Sequence, residues 1–111
     1  MANPNAISNF EFMVLLALIR LGDEAYGVPI SEQIEEHSGH DVALGSVYAA
    51  LDRLQSRGFV SSSVGDPTPE RGGRAKKYFQ ITGKGMKVVQ ETQRTLMRLW
   101  KGLPKLEGSK A

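Results

Sequence analysis

Two short strand-like segments, Phe59–Val64 and Ala75–Ile81, flank a loop crowded with chain breakers: Gly65-Asp66-Pro67-Thr68-Pro69-Glu70-Arg71-Gly72-Gly73. Glycine and proline interrupt both helix and strand, so this arrangement predicts one β-hairpin with a long tip. In the return segment Lys77, Phe79 and Ile81 fall on one face, and Lys76, Tyr78 and Gln80 on the other. The other patterned segments read as helices. The fold class predicted is therefore mainly α with a small β-hairpin.

Four helical segments surround that hairpin. Ser8-Asn9-Phe10-Glu11 has the form of a capping box, with Ser8 as N-cap and Glu11 three residues on. Beyond it Met13, Leu16, Ala17 and Ile19 are interleaved with Phe12, Val14, Leu15 and Leu18. A helix apolar nearly all round should be heavily buried, part of it under a partner chain; Gly22 is placed to end it. Tyr26–His37 reads as a second helix with Pro29 tolerated in its first turn. Val28, Ile30 and Ile34 are expected inside, Glu32, Glu35 and Glu36 in water. After the turn Ser38-Gly39-His40-Asp41, Leu44–Arg57 reads as a third helix. Its apolar stripe is Leu44, Val47, Leu51 and Leu54, with Ser46, Ala49, Arg53 and Ser56 opposite. Gly58 stops it. Thr82 can N-cap a last helix over about Gly83–Leu103, ended before Pro104. Its stripe of Met86, Val89, Leu96, Leu99, Trp100 and Leu103 needs something to cover it.

The order of helix, helix, helix, strand, strand, helix is that of a winged helix-turn-helix, whose recognition helix enters the major groove of DNA. Residues 1–81 would form this unit, 82–105 a C-terminal helix in the same compact body, and 106–111 a frayed tail. Net charge is +2. Residues 1–69 carry three basic groups against nine acidic ones, 3 − 9 = −6, and residues 70–111 eleven against three, 11 − 3 = +8. The split is that of a polyanion-binding surface or of a solvated basic helix. There is no cysteine, which excludes disulfides and thiolate chemistry. No apolar run is long enough to span a bilayer. With no basic leader either, a cytoplasmic protein is expected. No glycine-rich phosphate loop or nucleophile–base pair is recognisable. Glu35 and Glu36 are adjacent, so they project in different directions. His37 and His40 straddle a helix end without an evident third metal ligand. No enzyme activity, cofactor or metal is expected.

Several fragments, taken together, resemble the PadR family of bacterial transcriptional regulators, especially short members with a single C-terminal helix. They are Leu21-Gly22, Tyr26-Gly27, Gly45-Ser46-Val47-Tyr48, Leu51-Asp52-Arg53-Leu54, Gly58-Phe59-Val60, Gly72-Gly73-Arg74-Ala75-Lys76-Lys77-Tyr78-Phe79 and Ile81-Thr82 with Gly85. Together they run over about residues 10–100. The resemblance implies an intertwined homodimer in which the last helix packs on the first helix of the other protomer. It also implies a ligand-responsive repressor reading an inverted-repeat operator in double-stranded DNA. Relatives that stack flat aromatic drugs at the dimer interface carry a tryptophan at the position of Leu96; here Trp100 stands one turn later.

Within that frame Arg71, Arg74, Lys76 and Lys77 are the wing candidates for phosphate contact, with Gly72 and Gly73 allowing close approach. Ser46, Ala49 and Arg53 are the candidates for reading bases. Arg53 can instead pair with Asp52 or a surface neighbour. Tyr48 lies at the edge of the apolar face, where a phosphate contact and a core role are both open. Val89, Leu96, Met97 and Trp100 would form ordinary dimer packing or line a pocket for a small aromatic or hydrophobic effector. Two other readings are a winged helix used for protein–protein contact and a module that sequesters small molecules.

Overall fold

The structure is a computed structural model that describes residues 3, 5–65 and 76–104. Helix α1, Asn9–Leu21, starts as its capping box predicts. The Ser8 hydroxyl accepts the Glu11 amide at 3.0 Å, and the Glu11 carboxylate accepts the Ser8 amide at 2.8 Å. Gly22, at φ 58°, donates to the Leu18 carbonyl and ends the helix. A single 3₁₀ turn, Gly22–Glu24, follows it. Val14, Leu15, Ala17 and Leu18 enter the core, whereas Leu16 and Ile19 remain exposed. The expected burial is thus met on one face only within a single chain.

Helix α2, Gly27–Ser38, begins one residue later than predicted because Tyr26 is its extended N-cap. Gly39 ends it in the left-handed region at φ 75°, which a glycine adopts without strain. Ile30 and Ile34 are buried, but Val28 is exposed. Glu35 is not simply in water: its carboxylate accepts the Val42 amide at 2.9 Å and closes the turn into α3. Helix α3, Leu44–Ser56, buries Val47, Ala50, Leu51 and Leu54. Leu44, expected in that stripe, is exposed at the first turn.

Strands β1, Val60–Val64, and β2, Lys77–Ile81, pair antiparallel with Val60 opposite Ile81 and Ser62 opposite Phe79. Strand β1 starts after Phe59 because the Phe59 amide is spent on the Leu54 carbonyl at 2.9 Å. A two-stranded hairpin is marginal alone, and this one is sewn to the helices. Phe59 and Phe79 are fully buried in the core, and the Phe79 amide donates to the Ala25 carbonyl at 2.8 Å. Lys77, on the Phe79 face of β2, is exposed at the strand end.

Helix α4, Gly83–Trp100, is capped by the Thr82 hydroxyl, which accepts the Gly85 amide at 3.0 Å and donates to the Gly58 carbonyl at 2.7 Å. Val88 and Val89 reach the core. From Gln93 onward every residue of the helix is exposed, and the molecule measures 55 × 34 × 21 Å. The helix ends at Trp100 rather than Leu103. Residues 106–111, expected as a frayed tail, lie outside the described residues.

Gly85 is where α4 crosses the hairpin. A Cβ there would collide with the Phe59 carbonyl oxygen and lie 2.7 Å from Ile81 Cγ1, whereas a Cβ at Gly83 would meet open space. Gly85→Ala should therefore cost roughly 3 kcal/mol in urea unfolding, because a backbone carbonyl cannot step aside. Gly83→Ala, in the same first turn, should instead gain about 0.5 kcal/mol by restricting the unfolded chain.

Candidate nucleic-acid interface

Helices α2 and α3, joined by the turn Gly39–Ala43, form the helix-turn-helix, and β1–β2 follows as the wing. Because one side of α3 is spent on the core, its outer face is what remains to be read. Ser46, Ala49 and Arg53, at i, i+3 and i+7, are all exposed there. They line an open groove of about 480 Å³ together with Phe10 and Met13 of α1 and Val42 of the turn.

Arg53 is paired, but not with Asp52 or another neighbour on its own helix. Its Nε donates to Glu11 Oε2 at 2.9 Å, across 42 positions of sequence. The other Glu11 oxygen is the one that takes the Ser8 amide. Burial of Glu11 pushes its pKa up, but the Ser8 amide and the Arg53 guanidinium more than offset this, and the carboxyl sits below its ordinary value of 4.5. The Arg53 side chain nevertheless stays 54% exposed, against 7% for Glu11.

Tyr48 occupies the opposite edge of α3. Its hydroxyl lies over Gly27 at the start of α2, in space that any side chain there would claim. Its ring is 6.4 Å from the Phe79 ring. It is neither wholly core nor free: the side chain is half-exposed at the seam between α2, α3 and β2. At the wing base, Lys76 Nζ stands 3.8 Å from the centroid of Tyr26, and Tyr26 meets Tyr78 edge-on at 5.6 Å. Lys77 Nζ is 5.6 Å from the Phe79 ring centre. Lys76 thus sits with Tyr26 and Tyr78, while Lys77 and Tyr48 both neighbour Phe79 on the other face of β2. Arg71 and Arg74, with Gly72 and Gly73, lie outside the described residues.

Sequence reasoning missed Glu11 as a partner of Arg53 and Tyr26 as the seat of Lys76. The capping-box pattern accounts for only one of the Glu11 oxygens, and no local spacing signals the other. Gln55 was missed too; its Nε2 donates to the Ser62 hydroxyl at 3.0 Å and braces α3 against β1.

Of the four residues expected at a dimer or effector interface, Val89 has a different place. It is 7% exposed and belongs to the core of its own chain. Leu96, Met97 and Trp100 stay half-exposed, and Leu99 and Leu103 are exposed too. Among the described residues no group of three His, Cys, Asp or Glu side chains gathers around a point where a metal ion could sit. No described helix is long and apolar enough to cross a membrane.

The chain matches the family model described as "Transcriptional regulator PadR-like family" over residues 15–91. It belongs to that family. A PadR family transcriptional regulator from Eggerthella lenta is 27% identical, with a TM-score of 0.67 over 88% of this chain and 83% of its own. A transcriptional regulator from Clostridium thermocellum is 26% identical, with a TM-score of 0.68 over 82% of this chain and 85% of its own. A PadR family regulator from Clostridium difficile shares the fold at 22% identity and a TM-score of 0.70, over 83% and 91% of the two chains. No functionally curated protein matches. As a PadR-like regulator, the chain is a mainly α winged helix-turn-helix protein whose relatives are transcription regulators rather than enzymes.

The lowered Glu11 pKa has a consequence for acid stability. Its stabilising contribution is present in full above 4.5 and is lost as pH falls through the lower value Glu11 has in the fold. Glu11→Gln should cost roughly 1–2 kcal/mol at neutral pH, an amount limited by the exposure of Arg53. Urea midpoints measured from pH 7 down to pH 3 should show the two proteins converging at the acid end.

Proposed function

We propose that this PadR-like protein is a homodimeric, sequence-specific repressor that binds an inverted-repeat operator and releases it in response to a small ligand. The observation that carries the DNA-binding part is the exposed outer face of α3 flanked by Lys76, which is held at the wing base by Tyr26. Cations beside a helix that fits the major groove supply affinity, and the helix supplies choice of sequence. In this reading Ser46, Ala49 and Arg53 face base edges. Tyr48, Lys76, Lys77, Arg71 and Arg74 face the backbone, and the protein works in the cytoplasm.

The dimer is supported by two apolar surfaces that one chain leaves uncovered. One is the groove of about 340 Å³ along α1 and α2, edged by Met13, Leu16, Ile19 and Ile34. The other is the outer half of α4, with Leu96, Met97, Leu99 and Trp100. Exposed apolar patches of this kind mark association surfaces, and a two-fold exchange covers both at once. Two α3 helices related by that axis would read an inverted repeat. A flat aromatic or hydrophobic effector between Leu96, Met97 and Trp100 could release DNA only by preferring a dimer geometry with the wrong helix spacing.

The first test is titration onto duplex from upstream of the protein's own gene, with scrambled duplex as control, at several salt concentrations. Tight, preferential binding is expected, with log affinity falling by about 0.9 per neutralised phosphate per decade of salt. Arg74→Ala should weaken both duplexes alike and flatten the slope by about one. Salt-insensitive or absent binding would favour a protein-contact or ligand-sequestering module, which quenching of Trp100 fluorescence by aromatic compounds would then examine. For the assembly, Trp100→Glu should give a monomer by sedimentation while leaving helix content intact, since the ring is already 49% exposed in the single chain.

A further inference from the structure

We infer that Glu11 is a positioning residue for sequence recognition: it holds Arg53 so that the arginine reads a base edge rather than neutralising phosphate. The inference rests on α3 being the DNA-reading helix. An arginine has five N–H donors in a rigid fork. Here the Nε–H is bound to Glu11 Oε2 at 2.9 Å, which leaves the four terminal N–H groups for a ligand. The side chain stays more than half exposed although one of its nitrogens is bound. Ser46 and Ala49 line the same groove, so the fork is presented beside the two other base-reading candidates.

Two features make this a positioning arrangement rather than a simple surface pair. Glu11 is almost fully buried and is itself held through its second oxygen by the Ser8 amide at 2.8 Å, so it is a fixed anchor. An arginine so anchored gives up its side-chain freedom before DNA arrives, which lowers the ordering cost of binding. The carboxylate also cancels most of the local positive charge. A neutralised pair gains little from a generic phosphate backbone, whereas its directed N–H groups still match the paired acceptors of a guanine edge. The pair therefore contributes choice among sequences rather than general affinity.

The test uses the full-length protein and an operator duplex selected by the wild type from a random-sequence pool, with scrambled duplex as reference. Affinities are measured well below the unfolding temperature of each variant. Glu11→Gln should lower the operator-to-scrambled ratio about tenfold, while affinity for scrambled duplex stays level or rises because a negative charge has gone. In an Arg53→Ala background the same change should leave the ratio unaltered. A parallel loss on both duplexes, or a ratio loss that persists without Arg53, would mean that Glu11 only supports the fold and would overturn the inference. If Glu11→Gln does not fold, Glu11→Asp keeps the charge but shortens the reach by one methylene. Part of the ratio should then be lost, and full retention overturns the inference. Failure of the wild type to enrich any sequence would remove the DNA-reading function itself, whereas an enriched operator with an unchanged ratio removes only the role of Glu11.

Discussion

Phe59 and Phe79 carry the architecture. A hairpin of two five-residue strands does not hold together in water, and this one persists because a phenylalanine from each side of it is buried among the helices. Phe59 also spends its amide on closing α3 and its carbonyl on the Thr82 amide, so one residue ends the third helix and leads into the fourth. Phe79 donates to the Ala25 carbonyl between α1 and α2. Recognition helix, wing and C-terminal helix are thereby fastened to one core. The bare backbone at Gly85, pressed against the Phe59 carbonyl, is the geometric condition for that fastening.

The proposed interface built on this core has two differently built edges along α3. On the wing edge, Tyr48 covers Gly27, and Tyr26, braced edge-on by Tyr78, holds the Lys76 ammonium through a cation–π contact. On the α1 edge, a buried carboxylate holds the Arg53 guanidinium. In the proposed reading the first edge suits a polyanion, because among the described residues no carboxylate pairs with its lysine. The second suits a directed contact, because its charge is largely balanced and its geometry is determined.

A single chain buries a closed inner layer and leaves an apolar outer one exposed. Helix α1 buries one face in its own core and leaves Leu16 and Ile19 outside, and α4 changes character at Gln93 from a packed helix to a projecting one. Val89 and Trp100 stand on opposite sides of that change. In the proposed dimer α1 meets the partner on one face, while its first turn already holds Arg53 through Glu11. The arginine proposed to read DNA would then stand one hydrogen bond away from the element that would set protomer spacing.

Much of this was legible from the sequence. The capping box at Ser8–Glu11, the glycine stops at Gly22, Gly39 and Gly58, the Thr82 cap and the helical stripes specify element types and order, because caps and periodicity act within one or two turns. The exposed candidates Ser46, Ala49 and Arg53 followed from the same local geometry, as did the apolar excess on α1 and α4. Tertiary structure decided everything that depends on residues far apart in the chain. It moved Val28 and Leu44 out of the core and Val89 into it, set Lys76 on Tyr26, and gave Arg53 a partner 42 positions away. Periodicity reports which side of a helix a residue occupies. Which neighbour meets that side depends on how helices and hairpin cross, and that crossing is set by the packing of Phe59, Phe79 and Gly85 rather than by any local pattern.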